Sequence, residues 1–275
     1  AGLATTPRYV SCSGLGWMSS TDSSPSTASG RSSVHRNAEG PSAEGRPVTP
    51  QELERYDKIG RSLDGLVPVC WQKRALDILL SFALLLLFSP LFLAILVALL
   101  LEGLFIPRHR GPFFLTEERG SEGRVFHLLK FRIVRMDVFH EIRATQKYQH
   151  IKPMERDPAN VTKVGKILKD FYLDELPQLF TILVGEMSFV GPRPWPLEPY
   201  YEELEEGIFR KRLIRPGLTG LVQANKGIKD GPSEWQLDFA YIGFMHDEPS
   251  GWKKLAFDLQ VLTRSTKTVS EGKGL

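Results

Sequence analysis

One long apolar segment constrains the fold of this chain more than any other feature. Ile78 to Leu101 are 24 residues, almost all of them apolar. A helix of that length is enough to cross the hydrocarbon layer of a bilayer, which is about 30 Å thick. The alternative is a buried core helix of a soluble domain, but such helices are usually shorter. We therefore predict that this segment enters a membrane.

The pair Ser89–Pro90 interrupts the apolar segment near its middle. Proline removes a backbone hydrogen bond and clashes with the preceding turn, so each half retains roughly 18–24 Å of helix, too short to cross alone. Basic residues, which favour the cytoplasmic side, flank both ends: Lys73–Arg74 before the segment, Arg108 and Arg110 after it. We predict that residues 73–107 form a re-entrant hairpin in the inner (plasma) membrane, broken at Ser89 and Pro90. A kinked single span is the alternative.

The composition excludes several other classes of protein. A net charge of +3 is too small to indicate a nucleic-acid partner. The two cysteines form no CxxC pair and no cluster with histidine, so a disulfide framework or a structural zinc site is not expected. Walker A, GxGxxG, GxSxG and HExxH motifs are all absent from the sequence.

The domain organisation follows from shifts in composition along the chain. Residues 1–50 are rich in Ser, Thr, Gly, Pro and Ala and predict a disordered tail, with an organelle transit peptide as the alternative. A secretory signal is not expected, because no apolar core precedes a cleavage site. Residues 51–72 predict a polar helix and linker, and 108–266 a folded domain on the cytoplasmic face. A flexible tail is predicted for 267–275.

Two adjacent carboxylates, Asp174 and Glu175, lie in the stretch Leu173–Leu179, just before Pro177. An apolar, helix-like run then continues to Gly185. Acidic residues and proline favour the start of a helix, where the helix dipole and free N–H groups would hold Asp174 ionised. A carboxylate held in this way can cap the helix, bind a metal or attack an electrophile. The residues alone leave these three alternatives open.

Several basic residues occur in settings that suit a phosphate. Lys130 and Arg132 alternate with apolar residues in a predicted strand, after a charged, glycine-containing stretch from Glu117 to Arg124 that predicts a loop. Arg193 lies between two prolines, which restrict the backbone and thereby fix the guanidinium. Arg215 directly precedes another proline. The alternatives are a solvated strand face and buried arginines paired with carboxylates.

Taken together, these stretches resemble one family. The matching pieces are Lys73–Arg74 with Asp77, Ser89–Pro90, Gly111–Pro112–Phe113–Phe114, Lys130–Phe131–Arg132, Thr162–Lys163–Val164–Gly165, Leu173 to Leu179, Met187 to Pro194, and Arg215 to Gln223. In this order they resemble the bacterial sugar transferases, or monotopic phosphoglycosyl transferases. The resemblance covers about residues 70 to 265. It implies a helix-rich α/β (α+β) fold with a re-entrant helix-break-helix, interfacial amphipathic helices and a small catalytic domain.

The resemblance also implies a reaction. Members of the family transfer a sugar-1-phosphate from a UDP-sugar to a polyprenyl phosphate carrier in the membrane, release UMP, and so begin surface glycan or exopolysaccharide assembly. Asp174 matches the aspartate that attacks the β-phosphate and forms a covalent intermediate, and Glu175 matches the second acid of the dyad. Mg²⁺, with Asp174 as its expected ligand, neutralises the diphosphate. The phosphate-binding cations are expected to be Lys130, Arg132, Arg193 and Arg215.

The chain also departs from the family pattern. Arg119 lies one residue nearer its glycine than in the usual motif, Lys169 replaces an arginine, and Phe171–Tyr172 replace a Thr-Ser type pair before the dyad. The alternative function is therefore a catalytically inactive membrane-anchored scaffold. We expect the minimal catalytic form without a multi-span N-terminal domain. The oligomeric state stays open, with a homodimer among the alternatives.

Overall fold

The structure, a computed structural model, describes residues 48–145, 154–228 and 231–270. Its helices are α1 (Pro50–Arg61), α2 (Trp71–Leu87), α3 (Ser89–Phe105), α4 (Met136–Thr145), α5 (Lys163–Asp170), α6 (Gln178–Val184), α7 (Leu197–Glu205), α8 (Leu221–Ala224), α9 (Glu234–Asp247) and α10 (Gly251–Ser270). Its strands are β1 (Phe114–Ser121), β2 (Arg124–Phe131), β3 (Ser188–Val190), β4 (Trp195–Pro196) and β5 (Gly217–Thr219). The predicted helix-rich α+β class is confirmed. The tail predicted over residues 1–50 lies almost wholly outside the described residues, as do 271–275, and α10 continues past residue 266.

The charged stretch before Arg124 forms part of a strand, so the predicted loop is wrong. Strands β1 and β2 pair along their whole length, and β4 pairs with the other edge of β1, giving an antiparallel order β2–β1–β4. A two-residue turn joins β1 to β2, with positive φ angles of 49° at Glu122 and 75° at Gly123, as tight hairpin turns require. Glu117 and Arg119 are tolerated on the buried face of β1 because they form an ion pair.

A short parallel pair, β3 and β5, fixes the stretch that carries Arg193. Gly191 donates its N–H to the carbonyl of Thr219 at 2.9 Å, and Gly217 donates to the carbonyl of Pro192 at 3.0 Å. The two glycines allow this close approach, since a Cβ atom on Gly217 would lie 2.1 Å from the backbone nitrogen of Gly191. The backbone on both sides of Arg193 is therefore held in place.

The apolar segment forms two helices, α2 and α3, that are bent by 59° relative to each other. No single helix in the described part of the chain is long and apolar enough to cross a membrane, whereas this bent pair passes the test together. The break lies at Phe88, one residue earlier than predicted, and Ser89 already belongs to α3 with Pro90 in its first turn. Proline is tolerated there because its missing N–H needs no partner in a first turn. The Ser89 hydroxyl donates to the carbonyl of Leu86 at 2.8 Å.

Helix α2 has an inverted distribution of polar and apolar side chains. Its buried residues are all polar: Gln72, Lys73, Arg74, Asp77 and Ser81. Its large exposed residues are apolar: Trp71, Ile78, Leu79, Phe82, Leu86 and Leu87. Soluble proteins rarely expose a continuous apolar surface of this kind.

The polar residues of α2 attach it to the rest of the molecule. Lys73 Nζ donates to Asp258 Oδ2 at 2.6 Å and to the carbonyl of Val190 at 2.8 Å, both buried. Asp77 Oδ1 accepts hydrogen bonds from the hydroxyl of Ser188 and the N–H of Phe189, each at 3.0 Å. The first half of the bent pair is thus tied to β3 and α10.

The end of α3 attaches to a different element. The buried Glu102 Oε1 accepts backbone hydrogen bonds from Lys163 at 2.6 Å and Val164 at 3.2 Å, at the start of α5. Two hydrophobic clusters complete the packing. Leu80 and Leu84 of α2 pack against the larger cluster, whereas α3 contributes to the smaller one.

Candidate active site

Asp174 lies in a short 3₁₀ turn, Leu173–Glu175, between α5 and α6. Tyr172 directs the chain into this turn by adopting a left-handed conformation with φ of 56°, which is uncommon for a residue other than glycine. The predicted helix start is wrong in detail, because α6 begins only at Gln178 and no side chain caps it. The 3₁₀ turn therefore separates the two carboxylates from the helix that follows them.

The charge on Asp174 is controlled by burial and by a lysine. Burial raises the pKa of Asp174 to about 6; the charge of Lys130 opposes this increase, and Glu175 adds to it. The carboxyl is therefore mostly ionised at neutral pH, although its pKa is well above the ordinary value of an aspartate. The sequence predicted that a helix dipole keeps Asp174 ionised. In the structure, the charge of Lys130 favours the ionised form instead.

Lys130 is at the centre of a group of three carboxylates. Its Nζ lies 4.0 Å from Asp174 Oδ2, 3.7 Å from Glu175 Oε1 and 3.7 Å from Glu117 Oε1. Burial on its own would lower the pKa of Lys130, but the carboxylates outweigh it and raise the pKa above its ordinary value. Arg193 joins the group by donating from Nη2 to Glu175 Oε1 at 2.8 Å. Lys130 and Arg193 therefore both place a positive charge beside the dyad.

A cavity of about 310 Å³ lies next to this group. Three cations line it: Arg119, Lys130 and Arg193. Within the described residues, Arg119 Nε, Arg193 Nη1 and Gln178 Nε2 are buried donors with no hydrogen-bond partner. Buried donors are almost always satisfied in folded proteins, so these three indicate a ligand rich in acceptor oxygens. A phosphate or diphosphate has that chemistry.

Comparison with known proteins agrees with this geometry. Residues 69–272 match the model of the bacterial sugar transferase family.

The chain belongs to this family.

Among its relatives, the exopolysaccharide production protein ExoY of Rhizobium meliloti is 39% identical over 55% of this chain and 67% of its own length. A UDP-glucose:undecaprenyl-phosphate glucose-1-phosphate transferase of Caulobacter vibrioides is 32% identical over 74% of this chain and 71% of its own length. The similarly named transferase of Klebsiella pneumoniae is 34% identical over 56% of this chain. The present chain covers only 30% of the length of that relative.

Two of the predicted phosphate-binding residues of this sugar transferase contact other groups. Arg132 donates from Nε to the carbonyl of Pro112 at 2.8 Å, and burial lowers its pKa, with Glu102 opposing the change. Arg215 Nε lies 3.7 Å from Glu122 Oε1, near the β1–β2 turn. Thus the structure brings Lys130 and Arg193 to the dyad, whereas the described contacts of Arg132 and Arg215 are with other groups.

One carboxylate and one cation near the dyad were not predicted from the sequence. Glu117 and Arg119 lie two residues apart on β1, and their side chains share the face directed toward Lys130. No alternation in the sequence identifies these positions as a strand, because the intervening Glu118 is charged as well and a glycine follows Arg119.

The predicted Mg²⁺ site of this sugar transferase is compatible with the dyad only in part. In the described ranges there is no group of three or more His, Cys, Asp or Glu residues that could hold a metal ion by themselves. Mg²⁺ is usually bound by one or two carboxylates together with substrate phosphates. Asp174, with Glu175 beside it, fits that arrangement when a diphosphate supplies the remaining oxygens.

Proposed function

We propose that this protein transfers a sugar-1-phosphate from a UDP-sugar to a polyprenyl phosphate and releases UMP. The observation that carries this proposal is the buried Asp174 carboxylate, 4.0 Å from Lys130, beside a cavity that contains unpartnered cationic donors. The names of its relatives specify UDP-glucose and undecaprenyl phosphate as their substrates. The present chain uses a donor and an acceptor of the same classes.

The first step is attack by Asp174 on the β-phosphorus of the donor. A bond forms between the carboxylate oxygen and that phosphorus, and the bond from phosphorus to the oxygen bridging the two phosphates breaks. UMP leaves with the bridging oxygen, and the sugar-phosphate stays on Asp174 as an acyl phosphate. Lys130, Arg119 and Arg193 offset the repulsion between the carboxylate and the diphosphate, which is the main obstacle to the attack.

The second step is transfer to the carrier lipid. A phosphate oxygen of polyprenyl phosphate attacks the same phosphorus, the bond to Asp174 breaks, and a polyprenyl diphosphate sugar results. Glu175 orients Arg193 and Lys130 through its carboxylate and accepts any proton that the phosphate monoester still carries. Dividing the transfer into two steps allows two large anions to react without meeting each other directly.

Asp174, with Glu175 adjacent, would hold Mg²⁺, which would supply charge neutralisation on the diphosphate. The residues around it have distinct tasks. Lys130 maintains Asp174 in the ionised state, and Arg193 and Arg119 provide directed donors for the phosphate oxygens.

The hairpin formed by α2 and α3 is proposed to enter and leave the inner membrane on its cytoplasmic face. Both of its ends attach to the same folded unit, through Lys73 to Asp258 and through Glu102 to the start of α5. A span would require these attachments on opposite sides. If the two helices enter the membrane symmetrically, the 59° bend inclines each helix by about 30° to the membrane plane. Each helix has 17 residues with a rise of 1.5 Å per residue, so the hairpin would reach a depth of about 13 Å.

The test is incubation of the detergent-solubilised protein with a panel of UDP-sugars and Mg²⁺, with and without polyprenyl phosphate. Without the acceptor, we expect UMP in an amount equal to the protein and a peptide containing Asp174 heavier by one sugar-phosphate. With the acceptor, UMP release should continue over many turnovers. Release from none of the donors would contradict the proposal and favour the inactive scaffold.

A further inference from the structure

A second group of residues lines the same cavity but has no part in the phosphate chemistry. It consists of Trp195, Gln223 and Glu234, on β4, α8 and the start of α9. Trp195 follows Arg193 by only two residues. A donor whose diphosphate is held by Arg193 would therefore bring one of its uncharged parts against this group.

Trp195 is held rigidly from one side. The guanidinium carbon of Arg210 lies 4.6 Å from the centroid of the Trp195 ring. Arg210 is itself completely buried and is fixed by Glu203 at 2.5 Å and Asp238 at 2.7 Å. Trp195 also lines the cavity, so its indole is available to pack against whatever enters there.

The polar groups beside Trp195 include two acceptors. Gln223 Oε1 is buried and, among the described residues, has no hydrogen-bond partner, and the residue is only 9% exposed. Glu234 Oε1 accepts from Arg210 Nη1 at 3.2 Å, yet 43% of its side chain is exposed. The Gln223 carbonyl oxygen and the Glu234 carboxylate can therefore accept hydrogen bonds from a ligand in the cavity.

The chemistry of these acceptors distinguishes the two ends of a UDP-sugar. The free edge of uracil carries a single N–H between two carbonyl oxygens, so it can donate to only one of these two acceptors at a time. A pyranose instead offers several hydroxyl donors and an apolar C–H face that can pack on an aromatic ring. A uronic acid would bring a second carboxylate beside Glu234, whose charge is offset only in part by Arg210 at 3.2 Å and Lys211 at 3.7 Å.

We propose that Trp195, Gln223 and Glu234 form the sugar subsite and select a neutral pyranose with free hydroxyl groups. This inference rests on the proposed function for the identity of the donor. The pyranose packs on Trp195, its hydroxyls donate to Gln223 and Glu234, and its phosphate lies toward Lys130 and Arg193.

The test compares binding of UDP with binding of UDP-glucose, UDP-galactose, UDP-N-acetylglucosamine and UDP-glucuronic acid, by calorimetry on the detergent-solubilised protein. For the best neutral donor we expect Trp195→Ala and Glu234→Gln each to raise Kd about tenfold and to leave the Kd of UDP within about twofold. Trp195→Phe should retain most of the affinity, which rules out simple unfolding. Glu234→Gln should also improve UDP-glucuronic acid relative to the neutral donors.

Trp235→Ala is the matched control. Trp235 also lies over Arg210, with the guanidinium carbon 5.6 Å from its ring centroid, but it does not line the described cavity. We expect it to leave donor binding unchanged. Equal loss of UDP and UDP-sugar binding in Trp195→Ala would overturn the proposal in favour of a uracil site. Unchanged binding of both would also overturn it, because Trp195 would then contact neither end of the donor. Because calorimetry needs no turnover, sugar-dependent binding without UMP release would disprove the proposed function and leave the subsite standing.

Discussion

Asp174 combines two properties that a carboxylate nucleophile needs. Burial raises its pKa to about 6, which makes the carboxylate more basic than an ordinary aspartate. Lys130 opposes this increase enough that the group is still largely ionised at neutral pH. A nucleophile with a pKa just below the working pH has the greatest basicity compatible with being charged.

We expect Asp174→Asn to abolish turnover and to stabilise the protein at pH 7.5 by up to about 3 kcal/mol. The amide cannot form the acyl phosphate and carries no charge to desolvate. The native carboxyl has a pKa of about 6 in the folded protein, against an ordinary pKa of 3.8. Protonation of Asp174 therefore stabilises the folded protein. This stabilisation is complete below about pH 3.8 and is lost as the pH rises through 6. Denaturation of both proteins across this range should show the advantage of Asn disappearing near pH 4, and an advantage independent of pH would contradict the argument.

Lys130→Met should move the acid limb of the pH profile of kcat/KM upward. Lys130 lowers the pKa of Asp174, so its removal lets burial and Glu175 raise that pKa further. Lys130→Arg keeps the charge and should keep the limb close to its original position. Lys253→Met, which removes an exposed lysine paired with Glu248, is the control. An acid limb that stays fixed in Lys130→Met would disprove the electrostatic role.

At the scale of elements, α2 is held by buried polar contacts as well as by the apolar packing of Leu80 and Leu84. Lys73 connects it to Asp258 on α10 and to the carbonyl of Val190 on β3. Since β3 leads directly to Arg193, the helix proposed to enter the membrane also fixes the strand before the arginine proposed to bind phosphate. The same contacts would thus set both the proposed position in the membrane and the geometry of the candidate active site.

Lys73→Met should destabilise the protein by about 3–5 kcal/mol, because it leaves the fully buried Asp258 without its cation. Adding Asp258→Asn in the same chain should restore part of the loss, since the amide carries no charge. Lys58→Met, at an exposed pair with Glu54, should change stability by less than about 0.5 kcal/mol. Denaturation in detergent micelles measures all three, and a double variant no more stable than Lys73→Met would argue against the charge explanation.

At the scale of the whole molecule, the bent helix pair and the catalytic unit share their packing. Helix α2 lies on the larger hydrophobic cluster and α3 on the smaller one, so the two arms contact different parts of one body. The β1–β2 hairpin contributes to both clusters and carries Lys130, Glu117 and Arg119. This arrangement places Asp174, the proposed nucleophile, within the same unit that holds both ends of the apolar segment.

Cysteines introduced at Asp64 and Arg108, on either side of the bent pair, should react with a membrane-impermeant thiol reagent from the same side. In a background without Cys12 and Cys70, inside-out vesicles should label both positions and intact cells neither. Both positions are exposed, so access is limited only by the membrane. Labelling of one position from each side would establish a kinked span instead.

Local features of this protein could be predicted from its sequence, whereas contacts between distant residues could not. The broken apolar segment followed from its length and its proline, because both act locally on the backbone. The position of the dyad beside Lys130 and Arg193 agreed with the expected chemistry. The partners of Arg132 and Arg215 did not follow, because local sequence gives no information on which distant carbonyl or carboxylate a buried guanidinium meets. The positions of Glu117 and Arg119 beside the dyad were not predicted for a related reason. Charged residues on the buried face of a strand can be explained only when the residues of the neighbouring strand are known.

The inverted distribution of polar and apolar side chains on α2 also determines how this protein can be prepared for experiments. Shortening the gene to begin at Arg108 would be the usual route to a water-soluble catalytic fragment. That fragment would lack Leu80 and Leu84 from the larger cluster, and Asp258 would lose Lys73. Detergent, nanodisc or polymer-bounded preparations of the intact chain are consequently the material in which its chemistry has to be measured.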